Sequence, residues 1–257
     1  GRVRLRVENG QAVIYTSAAC LGQGLASVLM QFVGETTGLG WDQVRVAVPD
    51  TSTSPNGGTT TASRQTVFNG EAARLVGMDL AEDLKTHTLA ELEGKEYYRE
   101  YSGVTDPMGS PKPNPVSHVA YSYATQVVLL NDEGRIEKVV AAHDIGRAVN
   151  PNQVEAQIEG GVVMSLGFAL TEDFPLKEGE PQVKYGTLGL FKASQVPPIE
   201  PIIIEKNKES LAYGAKGLGE IVCIPTAPAV AGAYFYRDQV FRTALPLEGT
   251  PYSRKKK

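Results

Sequence analysis

An α+β fold with mixed sheets is the fold class that the sequence predicts, and three patterns carry this prediction. Residues 3–7, which alternate in polarity, and residues 12–16 predict two strands joined at Asn9-Gly10, a dipeptide that favours tight hairpin turns. From residue 25 to residue 33, apolar side chains recur at helical spacing, and a strand pattern returns at residues 44–48. Strand–turn–helix groups of this kind reappear after residue 118, so strands and helices are interspersed along the chain.

The composition is that of an ordinary globular protein. The chain has 257 residues, of which 42% are hydrophobic and 21% charged, and its formal net charge is -4. This acidic balance argues against a nucleic-acid partner, which needs a basic surface. No apolar run is long enough to span a membrane. Two cysteines without metal-ligand spacing, Cys20 and Cys223, favour a cytoplasmic setting, and we expect both to be small buried apolar residues.

Proline and glycine divide the chain into predicted domains. Residues 102–117 are rich in both and show little periodicity, which is typical of a boundary between subdomains. We therefore predict a first α+β domain at residues 1–101 and a second at residues 118–252, followed by a basic tail at residues 253–257. The chain begins without Met, directly in a strand pattern, and we expect it to be a piece of a longer protein.

The second predicted domain contains a hairpin and two helices with recognisable starts. Residues 119–130 and 135–141 predict two long antiparallel strands. Asn150 is placed as the N-cap of a helix whose first residue is Pro151. Thr226 has the type of side chain that caps the last helix.

Four polar or glycine-rich turns precede apolar helices, at Gly22, Thr59, Asn150 and Gly217. Helix starts attract anions, so four of them indicate a site for an anionic cofactor, and we expect them to converge. A plain α+β fold could also supply such turns. The dinucleotide fingerprint, the phosphate loop and the common hydrolase motifs are all missing. The three histidines are scattered, and we expect them on the surface or in packing roles.

The glycine run at residues 214–220 ends in a carboxylate, Glu220, directly before the last helix. Three glycines in six residues allow a close approach of the backbone to another group. The run therefore predicts contact between Glu220 and a bound ligand. The alternative is a glycine-rich turn with a solvated glutamate.

Taken together, the motifs at residues 22–24, 58–65, 157–161 and 216–220 resemble the molybdenum-binding subunit of the xanthine dehydrogenase and aldehyde oxidoreductase family. The resemblance spans nearly the whole chain but only the C-terminal part of that subunit. It is nearest to bacterial purine hydroxylases of the xanthine dehydrogenase type. It implies a cytoplasmic oxidoreductase that hydroxylates a purine such as xanthine or hypoxanthine, with water as the oxygen source. An aldehyde or a nicotinate-type heterocycle is the alternative substrate, and a non-catalytic assembly surface is the alternative role.

The resemblance also implies cofactors and partners. It predicts a molybdopterin molybdenum cofactor, with the cytosine dinucleotide as one form, and iron–sulfur clusters and FAD on other domains or subunits. The family's N-terminal half supplies further contacts, and it is expected as a partner that covers an apolar face of this piece. Without it, that face should be exposed or used by a homo-oligomer. The isolated piece is expected to be inactive.

Residue roles follow from the same resemblance. Glu220 would accept the proton from the hydroxide that attacks the substrate, and no residue would ligate the metal directly. Glu159 is a weaker candidate, because it lies two residues past Gln157 on a predicted helix and points elsewhere. The residues implied to contact the cofactor are Gln23, Gly24, Thr60, Thr61, Ala62, Ser63, Arg64, Gln157, Lys216, Gly217 and Gly219.

Overall fold

The hairpin predicted at the start of the chain is present in the computed structural model, which describes residues 1–206 and 211–253. Strand β1 (Arg2–Glu8) pairs antiparallel with β2 (Gln11–Tyr15). Asn9 and Gly10 connect them with φ angles of 51° and 72°, the left-handed conformations that this type of two-residue turn requires. The turn chemistry therefore sets the register of the pair.

Two further strands complete a four-stranded sheet in the order β3-β2-β1-β4. Strand β3 (Val44–Val46) runs parallel to β2, and β4 (Glu96–Glu100) runs antiparallel to β1. The alternation along β1 separates two faces, since successive side chains point to opposite sides of a sheet. The apolar face is fully buried and comprises Val3, Leu5 and Val7.

Helices α1 (Leu25–Thr37) and α2 (Gln65–Asp83) pack together against this sheet. They approach closely because small residues lie where they meet. A Cβ at Gly70 would lie 2.9 Å from the ring of Phe32, and a Cβ at Gly77 would lie 3.0 Å from another side chain of α1. The helix predicted from residue 25 and the helix predicted after the turn at Thr59 are both confirmed.

The chain forms two compact units, each assembled from separated segments. The first unit contains Gly1–Ser122, Ile145–Gln153 and Glu205–Gly217; the second contains the remaining segments. This division differs from a single boundary at residues 102–117, because the later segments 145–153 and 205–217 belong to the first unit. That residues 1–101 and 118–252 form two separate domains stays a prediction. Residues 254–257 of the predicted basic tail lie outside the described residues.

The second unit contains a three-stranded sheet with the order β5-β6-β9, and a short hairpin of two further strands lies between β6 and β9 in the chain. The predicted antiparallel pair is confirmed, but its first strand starts at residue 124 rather than 119, because its partner ends at Asp144. The last strand runs parallel to β6. The five strands are β5 (Ala124–Leu130), β6 (Ile136–Asp144), β7 (Leu176–Lys177), β8 (Glu180–Pro181) and β9 (Ile199–Ile204).

Helix α3 (Pro151–Leu170) begins as predicted. The Asn150 side chain accepts a hydrogen bond of 3.2 Å from the backbone N–H of Gln153, which is the N-cap interaction. The glycine pair inside the helix allows a close contact on one side only. A Cβ at Gly161 would lie 2.2 Å from Val222, whereas no heavy atom lies within 4 Å of a Cβ at Gly160.

The last helix, α4 (Thr226–Asp238), starts with a different cap from the one predicted. Thr226 is the first residue of the helix and does not cap it. Its hydroxyl donates instead a 2.7 Å hydrogen bond to the side chain of Gln126, and both residues are buried. The prediction from residue type was wrong because a long-range partner takes the hydroxyl. Among the described helices, none has the length and apolar composition of a membrane span.

One face of the second unit's sheet exposes four apolar side chains beside the ion pair of Lys138 and Glu200. Paired residues of neighbouring strands share a face, and the register places these side chains together. The exposed apolar residues are Val127, Leu129, Ile202 and Ile204. That this piece has an apolar face which the missing half of the subunit or a second copy covers stays a prediction.

Candidate cofactor site

The first cofactor motif is a loop whose shape is held by hydrogen bonds of the Gln23 side chain. The side-chain oxygen of Gln23 accepts the backbone N–H of Leu21, and its Nε2 donates to the Ala19 carbonyl at 3.2 Å. Gly22 and Gly24 have φ angles of 111° and 79°, which only glycine adopts without strain. The amide of Gln23 therefore holds the shape of the loop that leads into α1.

Exposed Cys20 lies among the backbone N–H groups of this loop. Burial raises the pKa of its thiol, but hydrogen bonds from the N–H groups of Gly22, Leu25, Gly24 and Ala26 outweigh that effect and lower the pKa below its ordinary value. The start of α1 thus favours negative charge, as helix N-termini do. The prediction that Cys20 is a buried apolar residue was wrong, since it is exposed.

The hydroxyl-rich loop at residues 59–64 has an unusual backbone. Ala62 and Ser63 both lie in the left-handed region, with φ angles of 51° and 52°. Among the described residues, the backbone N–H groups of Thr61 and Ala62 donate no hydrogen bond. Thr60 joins this loop to the first one, because its hydroxyl donates to the Ala19 carbonyl at 3.0 Å. The loop presents donors of the kind that bind anions.

Arg64 braces the hydroxyl-rich loop. Its Nη1 donates to the carbonyls of Gly57 and Thr59 at 3.0 and 2.9 Å. Its guanidinium carbon lies 4.9 Å from the ring centroid of Phe68. The cation predicted to contact phosphate therefore sits beside the loop and is held there by carbonyl oxygens. Its contact with a bound anion stays a prediction.

Two buried amides behind the loop were not singled out from the sequence. Gln65 donates to the Thr60 hydroxyl at 2.9 Å and accepts from the side chain of Asn69. Asn69 in turn accepts the backbone N–H of Arg2 at 3.1 Å, so the pair links the loop to β1. Two amides at positions i and i+4 on one side of the helix are the signal that could have indicated this role.

The glycine run meets the hydroxyl-rich loop inside the first unit. A Cβ at Gly217 would lie 1.7 Å from the carbonyl oxygen of Ser63, so only glycine allows this approach. The preceding Ala215 forms an antiparallel bridge with Gly146, and the backbone N–H of half-buried Lys216 donates to the Ile145 carbonyl at 3.1 Å. Two motifs that lie about 150 residues apart in sequence are thereby joined by backbone contact.

The start of α3 meets the first loop. A Cβ at Gly24 would lie 2.3 Å from Nε2 of Gln153, so the amide lies against the glycine. The side-chain oxygen of Gln153 is buried and has no hydrogen-bond partner among the described residues. A buried amide oxygen without a donor is unusual and accommodates a donor from a ligand. The sequence analysis did not single out Gln153.

The remaining predicted site residues belong to the second unit. Gln157 is half-buried in α3, and Gly219 is exposed. Glu220 is exposed, and its carbonyl accepts hydrogen bonds from the backbone N–H and the thiol of Cys223 at 3.2 and 3.0 Å. Cys223 is partly buried. The prediction that the four helix starts converge involves both units and stays a prediction.

The donor set of the first unit fits a pterin cofactor. Backbone N–H groups, hydroxyls and one guanidinium suit phosphate and pterin acceptors. No cluster of three or more metal-ligating side chains occurs in residues 1–206 and 211–253. The backbone N–H groups, hydroxyls and guanidinium of the first unit are the groups that could hold an organic cofactor.

The family comparison agrees with this chemistry. The profile of the molybdopterin cofactor-binding domain matches residues 1–101 and 79–197, together more than half of the chain. The chain belongs to the molybdopterin cofactor-binding domain family. The resemblance stated from the motifs is confirmed, and so is the molybdopterin cofactor as the ligand of the family.

Relatives of this molybdopterin-binding chain carry different substrate names. It is 26% identical over 277 aligned residues to the xanthine dehydrogenase molybdenum-binding subunit of Escherichia coli. This alignment covers 93% of this chain and 37% of the relative. It is 27% identical over 278 aligned residues to subunit gamma of the 6-hydroxypseudooxynicotine dehydrogenase complex of Paenarthrobacter nicotinovorans. That alignment covers 93% of this chain and 35% of the relative. The chain thus spans about a third of the length of these relatives.

A solved structure confirms the fold of the molybdopterin-binding chain. The aldehyde oxidoreductase from Desulfovibrio desulfuricans aligns with a TM-score of 0.78 at 23% identity, over 91% of this chain and 28% of that one. The predicted α+β class is therefore confirmed. Identity at this level supports the fold and carries no assignment of substrate.

Proposed function

We propose that this chain is the cofactor-holding part of a molybdenum hydroxylase, an oxidoreductase that hydroxylates a purine such as xanthine or hypoxanthine with water as the oxygen source. The observation that carries the proposal is the junction between Gly217 and the Ser63 carbonyl. It joins the glycine run to a loop whose N–H groups suit an anion. A turn with a merely structural role would not need both features at one point.

Each motif of the first unit has a role in holding the cofactor. Thr61 and Ala62 offer backbone N–H groups, and Arg64 adds positive charge beside them. Gln23 fixes the first loop, and Gly24 lets Gln153 come close. When bound, the cofactor supplies the metal centre at which the substrate is oxidised. Further residues proposed to line it are Thr60, Ser63, Gln157, Lys216, Gly217 and Gly219.

Glu220 is proposed as the proton acceptor. A general base must reach the proton that it abstracts, and the exposed position of Glu220 makes its carboxylate accessible. Gly219 before it adds no side chain that would obstruct the approach. The assignment gives the carboxylate a proton-transfer role and no role as a metal ligand.

The purine substrate rests on the motifs at residues 109–118 and 142–146, which resemble bacterial purine hydroxylases. The names of two relatives, an aldehyde oxidoreductase and a nicotinate dehydrogenase subunit, favour a second candidate class of substrate, aldehydes and nicotinate-type heterocycles. The cytosine dinucleotide form of the cofactor, iron–sulfur and flavin partners, the remaining half of the subunit, a homo-oligomer and a cytoplasmic location belong to the same proposal. Several relatives are named as subunits, which supports partner chains.

Metal and pterin analysis tests the proposal. The protein is purified in its longest native form from a host that makes the cofactor, then assayed with xanthine, an aldehyde and nicotinate. We expect stoichiometric molybdenum and pterin, and the fastest turnover with the purine. Folded protein without either component would contradict the proposal and favour the assembly role. Faster turnover of an aldehyde or nicotinate would replace the purine and keep the hydroxylase.

A further inference from the structure

A buried carboxylate in α2 reaches a distant turn of the first unit. Glu71 is 5% exposed, and its Oε2 accepts the backbone N–H of Ala212 at 2.7 Å. Arg74 donates to both carboxylate oxygens, at 2.9 and 2.7 Å. Glu71 thus links α2 to a segment 141 residues later in the chain. A buried charge with two such partners is well satisfied.

The turn that Glu71 reaches has a strained backbone. Ala212 and the following Tyr213 both lie in the left-handed region, with φ angles of 49° and 53°. Side chains other than glycine rarely adopt this conformation, and two in succession persist only when their surroundings hold them. Ala212 is fully buried, so no solvent compensates its backbone N–H.

Tyr213 is held from two sides. Its hydroxyl shares a 2.7 Å hydrogen bond with Thr36 of α1, and its ring centroid lies 5.7 Å from that of Phe32. The guanidinium carbon of Arg74 lies 5.8 Å from the same ring. The ion pair of Glu71 and Arg74 therefore contacts the turn both at its backbone and at its aromatic side chain.

The direction of the chain after this turn decides where the glycine run goes. The Gly214 carbonyl accepts the backbone N–H of Arg147 at 3.0 Å, and Lys216 pairs with Ile145. Gly217 then reaches the Ser63 carbonyl. Helix α2 begins directly after the hydroxyl-rich loop, and Glu71 lies within the first two turns of this helix. One helix therefore connects the loop to the carboxylate that binds the Ala212 amide.

We infer that Glu71 is a positioning residue of the cofactor site, which acts through the Ala212 amide to place Lys216 and Gly217 against the hydroxyl-rich loop. The effect of Glu71 on cofactor binding rests on the proposed function. Its effect on the position of Lys216 and Gly217 concerns only the first unit. The alternative is that Glu71 merely neutralises Arg74 and stabilises α2.

Two substitutions separate these roles. Glu71→Gln keeps an oxygen that can accept the Ala212 N–H but removes the charge that pairs with Arg74. Glu71→Leu fills a similar volume and offers no acceptor. Leu80→Ala is the matched control, because Leu80 is fully buried in the same helix and lies nine residues after Glu71. A merely structural role predicts global destabilisation by all three variants without a local effect.

The measurement is hydrogen exchange on the cofactor-free chain, resolved at the amides of residues 211–217. We expect E71L to speed exchange at Ala212 and Lys216 by more than about tenfold beyond L80A, because a hydrogen bond to a charged acceptor is lost. E71Q should stay close to the unsubstituted chain. Equal behaviour of E71Q and E71L, or of E71L and L80A, would overturn the inference.

Two further measurements cover the remaining outcomes. In the unsubstituted chain, the Ala212 amide should exchange as slowly as buried amides of α2. Exchange at the rate of exposed loop amides would overturn the inference. This measurement does not depend on whether E71L folds. In cofactor-loaded protein, E71L should lower molybdenum content and E71Q should preserve it. Local loosening in E71L with unchanged molybdenum would also overturn the positioning role. Protein that binds no molybdenum in any variant would refute the proposed function and leave the exchange result standing.

Discussion

Replacing Gly217 by alanine is a direct test of the junction between the glycine run and the hydroxyl-rich loop. The added Cβ would lie 1.7 Å from the Ser63 carbonyl oxygen and 2.7 Å from its carbon. Ordinary contact needs about 3.4 to 4 Å, so one backbone segment must move by about 2 Å. Ser63 is already in the left-handed region, which leaves little room for adjustment.

The cost can be bounded from overpacked cores. Inserting a methyl group where backbone must shift destabilises by about 1 to 3 kcal/mol. Gly217→Ala should therefore lower the free energy of unfolding by about that amount, measured by urea denaturation with circular dichroism. The only tryptophan, Trp41, lies in the first unit and gives a second, fluorescent probe of the same transition. Molybdenum content of the loaded protein should fall in parallel.

Gly160→Ala is the matched control. No heavy atom lies within 4 Å of its added Cβ, and the residue lies in the interior of α3. It should raise the free energy of unfolding by about 0.5 to 1 kcal/mol, because alanine favours the helix over glycine. Unchanged stability and molybdenum content in Gly217→Ala would refute the argument that the junction needs glycine.

Three further predictions concern caps and titrating groups. Asn150→Ala removes the N-cap of α3 and should cost about 1 kcal/mol in urea denaturation; no loss would contradict the cap assignment. Burial lowers the pKa of His143 below its ordinary 6.5, so unfolded chains bind more protons, and the free energy of unfolding should fall as the pH drops from about 6.5. If the urea midpoints of the unsubstituted chain and of His143→Gln depend on pH in the same way in this window, this prediction is contradicted. The exposed Cys20, with its lowered pKa, should react with iodoacetamide at pH 7 faster than Cys223, and equal rates would contradict the anion-favouring loop.

Local patterns in the sequence predict much of the fold. The Asn9-Gly10 hairpin and the Asn150 cap depend on residues within a few positions of each other, and both are confirmed. Thr226 shows the limit of this reasoning. Its type suits a cap, but its hydroxyl bonds Gln126, which lies 100 residues away and cannot be found from spacing.

The site divides in the same way. Glycine composition indicates a close approach at Gly217, but the partner atom on Ser63 follows only from tertiary structure. Glu71 and Gln153 carry no motif, because their roles are defined by a backbone amide and a glycine far along the chain. Cys20 was misjudged because residue type sets an average burial, whereas its loop places the thiol among N–H groups at the surface.

The rate of the Glu220→Gln variant in the assembled, cofactor-loaded enzyme tests the central claim most directly. Glutamine keeps the shape of the side chain but cannot accept the proton, so turnover should fall by about 100- to 10,000-fold while molybdenum content stays at the level of the unsubstituted enzyme. Glu159→Gln, at another exposed glutamate, should leave the rate unchanged. Turnover of Glu220→Gln near the unsubstituted rate with full molybdenum occupancy would contradict the account.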